Sequence, residues 1–322
     1  MAPVHVGGQL DHYSIDTLVA RSGMASIFRG TDLRTGRPVA IKIPHPEMES
    51  DPLFFDRFRR EEEIGRMLDH PGVMKVFAAD DRSQLYMVME WVDGRLLREI
   101  LNEPGKLPAE RAVRIALRIC EVLEYIHKHG IVHRDLKPEN IMVDDQDRVK
   151  LIDFGIAAKS GARRLTFTNL SQVMGTAEYI SPEQVKGKRG DARSDLYALG
   201  IMLYEMLTGK TPFSGANPFL IMNDRVLNNP VPPREIEPGI SPELQEIIYR
   251  SLERDPKSRY ASAHEFAWDL RHLDQVGVAD RPELRDWKRR RTPWTRRILF
   301  YAMLALIPVV IFGLLLLVAR HT

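Results

Sequence analysis

Three short segments restrict this chain more than anything else in it. Val39-Ala40-Ile41-Lys42 ends a β-branched run on a lysine. His133-Arg134-Asp135-Leu136-Lys137-Pro138-Glu139-Asn140 brings an acid, a lysine and an amide within six residues. Asp153-Phe154-Gly155 begins thirteen residues after Asn140. Any one Asp or Lys of this set would ordinarily be a solvated surface charge. For the set as a whole, in this order, that reading has little weight left.

The flanking patterns agree. Tyr13 to about Met89 reads as strand-rich, with extended runs at Ser26–Gly30, Val39–Ile43, Val73–Ala78 and Leu85–Met89. Pro52–Leu68 has helical spacing and many charges. From Arg95 onward the pattern is helical. Pro108–His129 carries Ala112, Ile115, Ala116, Ile119, Leu123 and Ile126 on one stripe, with Gly130 as its stop. Short strands are expected near Ile141–Val143 and Val149–Ile152, and helices over Ser194–Thr208, Pro218–Leu227, Ser241–Glu253 and Ser262–Leu273. No internal repeat stands out.

Composition narrows the class. Of 322 residues, 44% are apolar and 28% charged, which is globular rather than disordered. The length suits one two-lobed domain with an appendage. A net charge of +2 argues against a general nucleic-acid binder. The single cysteine, Cys120, excludes an internal disulfide framework and a cysteine zinc site. Met1–Leu10 lacks the features of a secretory signal.

In order and spacing the three segments resemble the signature set of protein kinases. More narrowly, the chain resembles the eukaryotic-type serine/threonine protein kinases of bacteria that carry a membrane anchor, over Tyr13 to Leu273. The resemblance implies an α+β fold. After an N-terminal extension (1–12) come a small β-rich N-lobe (13–89), a hinge (90–94) and a larger helical C-lobe (95–273). It implies ATP with Mg²⁺, or Mn²⁺ in its place, and transfer of the γ-phosphoryl group to Ser or Thr hydroxyls of protein substrates. The protein's part in that reaction is positioning and charge neutralisation. Lys42 would hold the α- and β-phosphates. Glu61 would orient it, since helical geometry points Glu62 and Glu63 about 100° and 200° away. Asp135 would accept the hydroxyl proton, Lys137 would contact the γ-phosphate, and Asn140 and Asp153 would hold the metal. Backbone groups of Glu90 and Val92 in Met89-Glu90-Trp91-Val92 would bond adenine. Lys137 and Thr176 resemble the serine/threonine form of the family. Asp195, and Glu183 paired with Arg259, would be structural supports. The Gly175–Glu183 segment resembles a protein-substrate platform, which weighs against a small-molecule phosphotransferase.

The pattern breaks at the nucleotide loop, Val19-Ala20-Arg21-Ser22-Gly23-Met24-Ala25-Ser26-Ile27. The family's three glycine positions fall on Ala20, Ser22 and Ala25. Glycine lets backbone approach a phosphate closely, and Ala and Ser restrict that approach. One reading is a working loop with a weaker grip on ATP. The alternative is a catalytically weak or silent pseudokinase scaffold at the membrane. Lys42, Glu61, Asp135, Asn140 and Asp153 are all present, which favours the first.

Two further expectations concern regulation and placement. In the family, the arginine at Arg134 commonly pairs with a phosphorylated activation-loop residue. Here Thr166, Thr168 and Ser171 are the candidates for autophosphorylation. Ile298–Ala319 carries no formal charge and spans about 33 Å as a helix, enough for a bilayer core of roughly 30 Å. A basic linker (274–297) with Lys288-Arg289-Arg290-Arg291 and Arg296-Arg297 precedes it. Positive-inside logic then puts the kinase domain in the cytoplasm, on a single-pass helix in the inner membrane, with residues 320–322 as a short tail beyond. Input would come through the helix, the cytoplasmic face or a partner. A homodimer through the helix and a partner phosphatase complete the expected partners; nucleic acid is not among them.

Overall fold

The computed structural model describes residues 4–49, 51–79, 81–103, 105–154, 158–159, 177–281 and 302. The N-terminal part is an antiparallel sheet of β1 (Gln9–Leu10), β2 (Tyr13–Arg21), β3 (Ala25–Asp32), β4 (Arg37–Pro44), β5 (Val76–Phe77) and β6 (Met87–Glu90), in the order β1-β2-β3-β4-β6-β5. Before β5, the chain forms α1 (Pro46–Glu49) and α2 (Pro52–Met67). Asp51 caps α2 by accepting from the Leu53 N–H, and Pro52 opens its first turn.

Strand period sorts the sheet's two faces. Val39, Ile41 and Ile43 join Tyr13, Ile15, Phe28 and Val88 in one apolar cluster. Ala40, Met87 and Met89 face the other way, against Phe54 and Phe58 of α2. The same alternation puts Lys42 on the α2 side. On α2 the spacing 54, 58, 61 is i, i+4, i+7, so Glu61 shares the stripe that meets the sheet. Gly65 lets the helix sit close: a Cβ there would lie 2.2 Å from Val76 Cγ2.

The C-terminal part begins with β7 (Arg95–Leu96), α3 (Leu97–Asn102) and α4 (Ala109–Lys128). β8 (Ile131–Val132), a 3-10 turn at Pro138–Asn140, β9 (Ile141–Val143), β10 (Val149–Leu151) and β11 (Ala158–Lys159) follow. Then come α5 (Pro182–Val185), α6 (Ala192–Thr208), α7 (Pro218–Leu227), α8 (Pro233–Ile236), α9 (Pro242–Ser251) and α10 (Ala263–Arg271). α6 is buried on all sides from Ser194 to Thr208, the mark of a central core helix. At Gly200 a side chain would collide with Ser251, so α6 and α9 approach through the glycine.

The predicted helices and strands are present, most with ends shifted by a few residues. The exception is Val73–Ala78. Only Val76–Phe77 pairs in the sheet, because the chain at Val73 turns away to bridge Leu151 of the other lobe, the Met74 N–H donating to the Leu151 carbonyl and the Gly72 carbonyl accepting from the Leu151 N–H. The chain past Leu273 stays on the C-lobe as far as Arg281. That arginine lies 3.0 Å from Glu246 and from Glu253 and over the Tyr249 ring. Among the described residues no helix is long and apolar enough to cross a membrane. The span expected over 298–319 lies outside them except for Ala302.

Arg259 and Glu183 form a buried ion pair, with Arg259 donating at 2.8 and 2.7 Å and Ser194 Oγ adding a third donor. Burial would raise the Glu183 pKa, but the Arg259 bonds outweigh it and hold the carboxyl below its ordinary value. Arg259→Met leaves that carboxylate buried without a counter-charge. Urea denaturation at pH 7 is expected to show a loss of about 3–5 kcal/mol. Since the folded pKa is depressed, the pair's contribution is complete above the ordinary glutamate value. The wild-type advantage shrinks as pH falls through the folded pKa.

Candidate active site

The site is built from the N-lobe inward. Lys42 Nζ donates to both oxygens of Glu61, at 2.7 and 2.8 Å, and both side chains are largely buried. Burial alone would lower the Lys42 pKa, yet Glu61 and Asp153 outweigh it and hold the ammonium charged. Burial drives Glu61 up to about 7 against the pull of Lys42.

The turn carrying Asp135 is shaped by a carboxylate from another helix. Asp195, in the first turn of α6, accepts from the N–H groups of His133 at 2.9 Å and Arg134 at 2.8 Å. It also lies 2.8 Å from His127 Nε2 of α4. Burial opposes its charge, but these donors hold its pKa below the ordinary value. Arg134 is thereby kept at φ 66°, a left-handed conformation that a side-chain-bearing residue adopts only when its surroundings enforce it.

Lys137 Nζ lies 2.7 Å from Asp135 Oδ2, while Asp135 Oδ1 is buried without a hydrogen-bond partner among the described residues. An orphaned acceptor of that kind is what a substrate hydroxyl would satisfy. Asn140 Nδ2 donates to the Asp135 carbonyl at 2.8 Å, so the amide oxygen is the atom that would face a metal. The Asp153 carbonyl is 2.5 Å from His133 Nε2, and Phe154 is buried in the C-lobe core beside the His133 ring. These contacts bring Asp153 close enough to Lys42 and Glu61 to act on both electrostatically. Gly155 lies outside the described residues.

Among the described residues no cluster of three or more His, Cys, Asp or Glu side chains could hold a metal. Asn140 and Asp153 offer two oxygen donors. That fits a hard cation whose remaining ligands are phosphate oxygens and water.

The connection between lobes follows β6. Glu90 accepts from the Lys75 N–H at 2.7 Å and pairs with Lys150 at 2.6 Å, while its own N–H is spent on the Lys75 carbonyl. Val92 is partly exposed on the following segment. That segment ends at Gly94, where a Cβ would lie 2.8 Å from the Val143 carbonyl oxygen. Opposite, the expected nucleotide loop divides into strand (Val19, Ala20, Arg21), tip (Ser22, Gly23, Met24) and strand (Ala25, Ser26, Ile27). In register Ile27 faces Lys42. Thr166, Thr168, Ser171 and Thr176 lie outside the described residues.

Three supporting groups were not evident in the sequence. Arg225 of α7, buried despite its charge, donates to the carbonyls of Ala177, Glu178 and Ile180 and so holds the stretch before α5. Arg98 of α3 joins Glu139, Glu205 and Tyr179 beside the Asp135 turn. Arg82 lies 3.0 Å from buried Glu62 and donates to the Tyr86 carbonyl at 2.5 Å. It fixes a second face of α2. Glu62 has no special spacing, and its partner twenty residues on is visible only once the sheet is assembled. Arg82→Met is expected to speed amide hydrogen exchange across Pro52–Met67 about tenfold, with the C-lobe unchanged. The readout is exchange mass spectrometry.

The family model for the protein kinase domain matches residues 13–268. A Streptomyces coelicolor protein named probable serine/threonine-protein kinase is 42% identical over 83% of this chain and 40% of its own length. The serine/threonine-protein kinase PknB of Mycolicibacterium smegmatis is 38% identical over 85% of this chain and 45% of its own. The chain thus spans less than half the length of these relatives. Among solved structures, the kinase domain of Mycobacterium tuberculosis PknI superposes with a TM-score of 0.65 at 25% identity, covering 84% of this chain and all of that one. With its two lobes, its Lys42–Glu61 pair and its Asp135 turn, the chain belongs to the protein kinase domain family.

Proposed function

We propose that the chain is a serine/threonine protein kinase that moves the γ-phosphoryl group of ATP to Ser or Thr hydroxyls of proteins. The observation that carries this reading is the pair of built contacts, Lys42 held by both oxygens of Glu61 and Asp135 held by Lys137 with its buried Oδ1 unpaired among the described residues. Asp135 takes the proton from the attacking hydroxyl, and Lys137 at 2.7 Å offsets the charge beside it. Lys42, oriented by Glu61, binds the phosphates. Glu90 and Val92 offer backbone groups to the base. Asn140 and Asp153 would hold Mg²⁺, which supplies neutralisation of phosphate charge. The names of the relatives support Ser and Thr as acceptors.

The reading extends to regulation and placement. The kinase phosphorylates Thr166 or Thr168 in its own activation loop, and the phosphate is met by Arg134, whose surroundings include Arg60 and Arg189. Ile298–Ala319 crosses the inner membrane once, and the basic linker keeps the kinase domain in the cytoplasm.

Two measurements test these statements. The full chain is incubated with Mg²⁺ and labelled ATP beside Lys42→Ala and Asp135→Asn, and products are mapped by mass spectrometry. Label on Thr166, Thr168 or another Ser or Thr is expected, reduced at least about 10²-fold in both variants. Label on tyrosine alone, or none in any protein, overturns the reading. In cell fractionation the full chain is expected to resist alkaline extraction from membranes, and a variant lacking 298–319 to be released. Release of the full chain overturns the anchor.

A further inference from the structure

We infer that Ser22 is a built-in competitor for the phosphates at the nucleotide loop. Its hydroxyl occupies the backbone amides that a glycine at this position would leave open to them. The inference rests on the nucleotide reading above and deepens it.

The tip of the loop is closed by its own side chain. Ser22 Oγ accepts from the Ala25 N–H at 3.1 Å and the Met24 N–H at 3.3 Å, and donates to the Ala25 carbonyl at 3.0 Å. The Ser22 N–H donates to the same carbonyl at 2.9 Å. Two consecutive amides at the tip are thus directed at one hydroxyl, two and three residues earlier in the chain. The outgoing arm is fixed as well. The Met24 carbonyl accepts from the His45 N–H at 2.9 Å, and Ser26 Oγ lies 3.1 Å from His45 Nε2.

Register puts these amides near the phosphate-binding lysine. Ile27 pairs with Lys42, so Ala25 is two residues further along, about 7 Å at a strand's rise. Successive amides in a tight turn form a concavity suited to anionic oxygen. Here a neutral hydroxyl fills it. A phosphate oxygen is the stronger acceptor and displaces the hydroxyl, but only by breaking two internal hydrogen bonds, each with a modest net value. Affinity for phosphorylated nucleotides is lowered accordingly, whereas affinity for the nucleoside part is untouched. The nearby Gly23 has open space around it and supplies no competing acceptor.

The test is calorimetric titration of the full chain with adenosine and with a Mg²⁺-bound, non-hydrolysable ATP analogue. Wild type is compared with Ser22→Ala, Ser22→Gly and Ser22→Thr. Ser22→Ala and Ser22→Gly are expected to bind the analogue about tenfold more tightly. Adenosine affinity stays unchanged in both, which also shows that they are folded. Ser22→Thr keeps the hydroxyl and stays near wild type. Unchanged or weaker analogue binding by Ser22→Ala overturns the inference, since the hydroxyl is then idle or is itself a phosphate ligand. An equal gain for adenosine overturns it too, because the effect is then not at the phosphates. Both of these leave the kinase reading standing. Failure of wild type to bind either ligand overturns the kinase reading and the inference with it.

Discussion

Asp195 is a carboxylate buried at the start of the central helix, and the Asp135 turn takes its shape from it. A lone buried charge of this kind is strongly destabilising, and it persists only where donors surround it. The donors are two successive backbone N–H groups, at His133 and Arg134, and the ring of His127. The backbone that presents both amides to this carboxylate passes through the left-handed conformation at Arg134. The strained turn and the buried charge therefore stabilise each other. The turn's geometry then sets where Asp135, Lys137 and Asn140 point. Because α6 is packed on every side, the carboxylate cannot shift to relax the arrangement.

In the N-lobe the corresponding constraint is Lys42 with Glu61. It joins a strand to a helix that would otherwise touch the sheet mainly through Phe54 and Phe58. The Glu62–Arg82 pair acts on the adjacent face of the same helix, tying it to the segment before β6. Two ion pairs on consecutive residues, aimed in different directions, restrain both the position of α2 and its rotation. Asp153 adds negative charge near the Lys42–Glu61 pair. A cation bound at Asp153 and Asn140 would relieve that excess.

Around this frame, charged side chains serve backbone as often as they serve each other. Arg225 spends its donors on carbonyls before α5, and Asp195 spends its lone pairs on amides. The Ser22 hydroxyl does the same at the nucleotide loop on a smaller scale. In each case a segment without regular secondary structure is shaped by one polar group from a neighbouring element or turn. This follows from the need to pair backbone groups wherever no ladder is available.

The sequence by itself determined most of the elements and the pairing of Lys42 with Glu61. Period 2 along Val39–Lys42 and the 54, 58, 61 spacing on α2 are local patterns, and local patterns are legible without coordinates. So were the Asp135 turn and the pairing of Glu183 with Arg259, because the motifs that carry them are short and ordered. What only the tertiary structure decided were contacts between residues far apart in the chain with no periodic signal: Arg82 with Glu62, Arg98 with Glu139 and Glu205, and Arg225 with the 177–180 backbone. It also decided that Val73 and Met74 leave the sheet for the other lobe, and that the Ser22 hydroxyl closes the loop in which its type had read only as a lost glycine. Such contacts depend on which surfaces meet after packing. A charged or hydroxyl side chain has many equivalent partners in the unfolded chain, and the fold selects one of them.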